Sequence, residues 1–216
     1  MSNFGFSSLR LVNPYEPSFR EARSAVGAAE LLASSAEFKS VAEAVADCSL
    51  VVGTSALHNR EVQHQFHHLP TAAPMVCDHL QNGRVALLFG SEKTGLSNDD
   101  LSHCHWLLQI PAEEQHLSMN LGQAVAVCLY ELARHAAVEK TQTAAANQAV
   151  FATADRFDRL EALWLEILRG SGYIKPGAGA ITEEKLRRML RRMNLSAEDA
   201  EVWMGMLRQF LWKLNH

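Results

Sequence analysis

Apolar and polar positions follow two different rhythms along this chain. Through the first two thirds, short β-rich apolar runs are separated by helical patterns, as in βαβ units built around a mainly parallel sheet. Leu9–Asn13 reads as a strand closed by Pro14, with a helix following from Ser18 to about Ala28. A short strand at Glu30–Ala33 precedes a helix at Ser40–Cys48, with Ser40 placed to accept from the first free backbone N–H groups. Leu50-Val51-Val52-Gly53 is a continuous apolar run of the kind found in strands buried on both faces. A helix at Ala72–Leu80 follows Pro70, and Arg84–Phe89 is the clearest buried strand. Ser97 or Asn98 caps a short helix with Asp99 and Asp100 in its first turn, where the helix dipole favours acids. Trp106–Ile110 is a further strand stopped by Pro111, and Ser118 caps a long helix running to about Ala136.

Past that point the pattern turns purely helical, with helices expected at Asp155–Arg169, Thr182–Met193 and Ser196–Leu214. The Ala-, Gln- and Thr-rich stretch between the two regimes has no apolar stripe and reads as a linker. The expected organisation is an α/β domain over 1–138, a linker over 139–154 and a small helical domain over 155–216.

Composition narrows the function. At 216 residues, 48% apolar and 20% charged, the chain is an ordinary globular sequence long enough to bury its own core. No apolar run reaches the roughly 18–20 residues of a membrane helix, and Met1–Phe6 has none of the features of a secretory leader. Cys48, Cys77, Cys104 and Cys128 form no CxxC pair, which excludes a zinc ribbon or disulfide framework read from spacing. Buried thiols in a reducing cytoplasm, without a metal, are the expectation. The net charge of −4 hides an asymmetry: residues 1–155 carry 9 Lys/Arg against 16 Asp/Glu, and residues 156–216 carry 11 against 8. Lys185, Arg187, Arg188, Arg191 and Arg192 crowd into eight positions, either as an RNA-binding face or as a solvated helix face neutralised by neighbouring acids.

Three loops follow the carboxyl ends of expected strands, the edge of an open α/β sheet where ligands bind. They are Gly53–Ala56, Gly90–Leu96, and Ile110 with Leu117–Leu121. Small residues in the first two let a ligand approach the backbone, while Ser118 and Asn120 place polar groups beside free N–H donors. His58, His64, His67 and His68 lack a third ligand at metal-site spacing and read as a histidine-rich loop. No GxSxG, GxxxxGK[ST] or GxGxxG motif is present, so acyl transfer and ATP hydrolysis lack residues to carry them.

Taken together and in this order, the three loops resemble the motifs of the SpoU/TrmH branch of the SPOUT RNA methyltransferases, most closely its TrmJ-type tRNA 2′-O-ribose methyltransferases. Leu50–Ala56 is similar to that group's "vGTsa" segment, Phe89–Leu96 to its FGxExxGL loop and Leu117–Leu121 to its S-[LM]-N-L motif. The resemblance covers nearly the whole chain, including the arginine-rich helix. It implies a trefoil-knotted α/β domain with a parallel sheet plus a small C-terminal helical domain, a homodimer, and S-adenosylmethionine as cofactor. Carried over, Thr54, Ser55, Ala56, Gly90, Ile110, Leu117, Ser118 and Met119 hold the cofactor, and Glu92, Ser118 and Asn120 are catalytic. The partner implied is RNA, and within RNA tRNA, with no membrane and no metal.

The resemblance has two departures. The family's leading strand, its N-x-G-A-x-x-R helix and the arginine in it would fall ahead of Met1, and the likeness starts at the closing segment Asn3-Phe4-Gly5-Phe6. Leu57 stands where TrmJ-type members usually carry arginine. A non-catalytic RNA-binding or regulatory relative is therefore the alternative function. An unrelated α/β protein binding another nucleotide is the third reading.

Overall fold

The computed structural model describes residues 1–14, 29–55, 64–113, 119–139, 150–175 and 179–215. Its centre is β3 (Leu50–Thr54), whose Leu50, Val51 and Val52 are wholly buried. That strand pairs in parallel with β5 (Val85–Leu88) on one side and β6 (Trp106–Gln109) on the other. β4 (Phe66–His68) adds to the far side of β6, giving a four-stranded parallel sheet in the order β4-β6-β3-β5. A second, two-stranded parallel sheet joins β1 (Arg10–Val12) to β2 (Ala36–Phe38). The α/β expectation with a parallel sheet therefore stands. The expected knot depends on the approach to the Ser118 helix, and residues 114–118 lie outside the described set.

Several elements form for the reasons anticipated. Ser40 caps α2 (Val41–Val45) by accepting from the Glu43 N–H. Ser97 caps α4 (Asn98–Ser102) through a reciprocal box in which Asp100 accepts back from the Ser97 N–H. Pro70 sits in the first turn of α3 (Leu69–Asn82), where no intrahelical N–H is lost, and Pro74 is accommodated one turn later. α3 and α5 (Leu121–Glu139) pack together on one face of the sheet, where Val76, Cys77, Cys128, Leu129 and Leu132 meet Leu50, Val52 and Leu108.

Two expectations are corrected. Glu30–Ala33 is not a strand: it lies in the short helix α1 (Ala29–Ala33), and the strand starts at Ala36. Glu, Leu and Ala are strong helix formers, and tertiary pairing with β1 selects the later segment. The histidine-rich stretch is not wholly loop, because Phe66, His67 and His68 form β4, with His67 edge-on to the Trp106 ring at 5.0 Å. His58 and the expected helix 18–28 lie outside the described residues.

The helical region consists of α6 (Ala154–Gly170), α7 (Gly179–Arg192) and α8 (Ala197–Leu214) around Phe157, Leu160, Leu186, Leu190, Met204 and Leu207. The end of the expected linker is built into the α/β unit. Ala154 is fully buried among Val45, Cys48 and Leu101, and the Ala154 N–H donates to the Cys48 carbonyl at 2.8 Å.

A clasp of charge holds the two sheets at their starting ends. Arg10, which opens β1, donates to both oxygens of Asp47, and Arg84, just ahead of β5, donates to Asp47 Oδ2 at 2.6 Å. The Arg10 hydrogen bonds, helped by Arg84, hold the Asp47 carboxyl well below its ordinary value. A lowered folded-state value means that the stabilisation is complete above the ordinary carboxylate range and fades as pH falls below about 4. We expect Asp47→Asn to cost about 1 kcal/mol at neutral pH, about 2–4 °C in melting temperature, with the gap to wild type starting to narrow at pH 3 but not closed there, because the folded carboxyl is still ionised at that pH. Thermal denaturation monitored by circular dichroism at the two pH values measures it.

Candidate functional site

The register of the sheet sets the geometry of the site. Gly53 pairs with Leu88 and Thr54 with Leu108, so β3, β5 and β6 end together and their following loops leave from one edge. The Thr54 hydroxyl donates to the Leu88 carbonyl at 2.9 Å and the Ser55 N–H donates to the Leu108 carbonyl at 3.1 Å. These bonds tie the first loop to its neighbours on both sides. Thr54, Ser55, Gly90, Ile110 and Met119 are all half-buried there. Ala56, Leu117 and Ser118, the other residues expected to hold cofactor, lie outside the described set.

The loop after β5 folds back on itself. Gly95 has φ +69°, a conformation that favours glycine, and its N–H donates to the Ser91 carbonyl at 2.8 Å. Ser91 and Thr94 also share a hydrogen bond between hydroxyls at 2.7 Å. A methyl group added at Gly90 would lie 2.1 Å from the Gly95 carbonyl carbon and 2.2 Å from the Leu96 nitrogen. Both obstacles are backbone, so no side-chain rotation relieves them.

From the tip of this closed loop Glu92 reaches the head of α5. Its Oε1 accepts from Asn120 Nδ2 at 3.0 Å and from the Leu121 N–H at 3.3 Å. Asn120 in turn accepts on Oδ1 from the N–H groups of Gly122 at 2.9 Å and Gln123 at 3.4 Å. Asn120 is thus the cap of this helix, where Ser118 was expected; it is the residue directly ahead of the first helical turn. A carboxylate at a helix N-terminus is favoured by both the free N–H groups and the dipole. Two of the three residues read as catalytic, Glu92 and Asn120, are therefore in direct contact although 28 positions apart in the chain.

The edge suits a ligand with a polar backbone and an apolar part. Thr54 and Ser55 bring hydroxyls to this edge, and Ile110 and Met119 bring aliphatic and thioether surface, a mix that suits a ligand with polar and apolar parts. Among the described residues, no group of three or more His, Cys, Asp or Glu is placed to hold a metal ion. Likewise, no described helix is long and apolar enough to cross a membrane.

The arginine-rich helix corrects the reading of its five cations as one RNA-facing set. Arg191 has no side-chain exposure and donates to Asp158 Oδ1 at 2.6 Å, with its guanidinium carbon 5.2 Å from the Phe157 ring centre. Arg187 is 19% exposed and lies between Glu161 and Asp99. Arg188, partly covered, pairs with Glu184 on its own helix at 2.8 Å. Lys185 and Arg192 face outward. The inward row sits beside buried Leu186 and Leu190, a four-residue spacing that marks one helix face. That spacing was the sequence signal for a packed role of Arg187 and Arg191. Asp99, a partner of Arg187, carried no signal of its own.

Comparison with known proteins agrees with the geometry. Residues 1–130 match the SpoU rRNA Methylase family. A tRNA (cytidine/uridine-2′-O-)-methyltransferase TrmJ of Sodalis glossinidius is 32% identical over 214 residues, covering 96% of this chain and 82% of that protein. The protein of the same name from Klebsiella pneumoniae is 33% identical over 216 residues, covering 96% of this chain and 86% of its own length. A crystal structure of TrmJ from Z. mobilis ZM4 superposes with a TM-score of 0.83 at 28% identity, covering 97% of this chain and 89% of that one.

We expect Gly90→Ala to open the closed loop, to lower the melting temperature by several degrees and to weaken binding of the methyl donor about tenfold or more, as read by thermal denaturation and isothermal titration. On the family match, the shared length and the superposed fold, the chain belongs to the SpoU rRNA methylase family.

Proposed function

We propose that this chain transfers a methyl group from S-adenosylmethionine to a ribose 2′-hydroxyl of tRNA, working as a homodimer. The observation that carries the reading is the contact of Glu92 with Asn120 and the head of α5, beside three loops that leave one sheet edge. Family membership and relatives named as tRNA 2′-O-methyltransferases support it. Thr54, Ser55, Ala56, Gly90, Ile110, Leu117, Ser118 and Met119 would hold the cofactor. When bound there, S-adenosylmethionine supplies an electrophilic methyl on a sulfonium.

The chain's own task is then to orient a poor nucleophile and handle its proton. Glu92 Oε1 is occupied by two donors, which leaves Oε2 as the oxygen that would accept from the approaching hydroxyl. Asn120 is held at both ends of its amide, by Glu92 on Nδ2 and by α5 N–H groups on Oδ1. A hydrogen bond accepted from the ribose hydroxyl raises its nucleophilicity as the proton leaves, an effect worth about 10²–10⁴-fold in rate. Ser118 completes the catalytic set in this reading.

On the helical region, Lys185 and Arg192 form the outward face that would meet phosphates, while Arg187 and Arg191 hold that face in place. The proposed boundaries remain an α/β methyltransferase unit over 1–138, a connection over 139–154 and the helical unit over 155–216.

Two measurements test the proposal. Isothermal titration should show S-adenosylmethionine binding, and tritiated-methyl transfer to bulk tRNA should show turnover that Glu92→Gln or Asn120→Ala slows about 10²-fold. Failure to bind at millimolar cofactor overturns the reading, and binding without transfer favours a non-catalytic RNA-binding relative, the function suggested by Leu57. For the RNA face, Lys185→Glu should weaken tRNA binding and lower the slope of log affinity against log salt by about 1 in magnitude. An unchanged slope in a filter-binding salt series removes Lys185 from that face.

A further inference from the structure

Arg187 lies where the helical and α/β units meet, and its guanidinium is divided between them. Its Nε donates to both oxygens of Glu161 on α6, at 3.2 and 3.0 Å. Its Nη1 points into α4, 3.0 Å from Asp99 Oδ1, 2.9 Å from Ser102 Oγ and 3.3 Å from His103 Nε2. Glu161 is nearly wholly buried, so the pair is held on the helical side and reaches outward to an exposed acceptor on the other. One turn later the buried Arg191 pairs with Asp158 and ties α7 to α6 at a second level.

What Arg187 grips is the continuation of the Glu92 loop. Ser97 ends that loop and caps α4, and its reciprocal bonds with Asp100 weld the two segments. The loop is itself closed by the Ser91–Gly95 bridge and the Ser91–Thr94 hydroxyl contact. Loop and α4 therefore move as one piece. A piece anchored on one side at α7 meets Asn120 on the other, at 3.0 Å. A displacement of about half an ångström would take that contact beyond hydrogen-bonding range.

We propose that Arg187 is a positioning residue: by clamping α4 to α6 and α7 it sets where Glu92 stands relative to Asn120. Its importance for methyl transfer rests on the assignment of Glu92 and Asn120 above. Its structural content does not, and the test below needs neither cofactor nor RNA. Ordinary adhesion between the two units predicts a different outcome, a loss of protection spread evenly over the chain.

The test uses the full chain and nuclear magnetic resonance. Arg187→Met is combined with Glu161→Met so that no buried carboxylate is left unpaired. A second variant, Asp99→Ala with Ser102→Ala, removes the two oxygen partners of Arg187 on α4, together with the Ser102 hydroxyl bond to the Asp99 carbonyl, and leaves the Glu161 pair intact. The control is Arg188→Met, whose partner Glu184 lies on the same helix. Amide exchange is read at Gly95 and Leu101, whose N–H groups donate to the Ser91 and Ser97 carbonyls, and the side-chain amide of Asn120 reports the Glu92 contact. The amide of Val51, which donates to His105 Nδ1 in the sheet centre, reports global stability.

In both clamp variants, exchange at Gly95 and Leu101 should quicken about fivefold or more and the Asn120 side-chain resonance should move, while Val51 stays protected. Arg188→Met should change none of these. The proposal is overturned if Gly95, Leu101 and Asn120 are unaffected in the Asp99→Ala, Ser102→Ala chain. It is equally overturned if Val51 accelerates by the same factor, or if Arg188→Met has the same effect. Absent cofactor binding by the wild-type chain would count against the methyl-transfer reading and leave these outcomes interpretable.

Discussion

The double pairing of one strand organises this protein. Leu50, Val51 and Val52 have apolar side chains on both faces and a strand along each edge, so β3 has one place in which all its groups are satisfied. Its register then decides where three separate loops emerge. Gly53 and Thr54 are aligned with Leu88 and Leu108 by backbone hydrogen bonds, and the polar groups that follow have no freedom to drift apart. Burying each aliphatic side chain of this strand is worth about 1.5–3 kcal/mol, enough to hold neighbouring loops that contribute little stability themselves.

A second constraint operates where the helical unit meets the α/β unit. The seam is charged and largely buried around Glu161 and Arg191, an arrangement that costs desolvation before it gains attraction. Burial pushes the carboxyls of Glu161 and Asp158 up even with arginines beside them. Burial also pushes the His105 imidazole down to about 3 and that of His103 to about 4, with Arg191 and Arg187 as the next contributions. Both rings are thus neutral at physiological pH, which spares the seam further positive charge beside its two arginines. Specific placement is the gain from such a seam, because guanidinium forks accept few alternative geometries.

Much of this was legible in the residues. Val85–Leu88 and Trp106–Gln109 emerge as strands because each is a short apolar run ended by Gly or Pro, signals that tertiary packing did not oppose. Glu92 and Asn120 were legible through the motifs around them. Their contact was not, since a separation of 28 positions gives no local clue to which loop tip meets which helix head. The β4 strand was hidden because an edge strand with two histidines lacks a continuous apolar run, and pairing with β6 alone defines it. Arg187 and Arg191 looked like a solvent-facing cluster because charge density was read without helical phase. Leu186 and Leu190, one position before each, carried the phase that turns both arginines inward.

The closed loop after β5 also has a consequence for sequence divergence. Its shape is set by main-chain proximity at Gly90 and by the left-handed turn at Gly95 rather than by side-chain packing. Lys93, exposed at the tip, can vary without disturbing that ring, whereas a single methyl group at Gly90 cannot be absorbed. Side-chain chemistry at Lys93 can therefore change while the backbone ring beneath it keeps its shape.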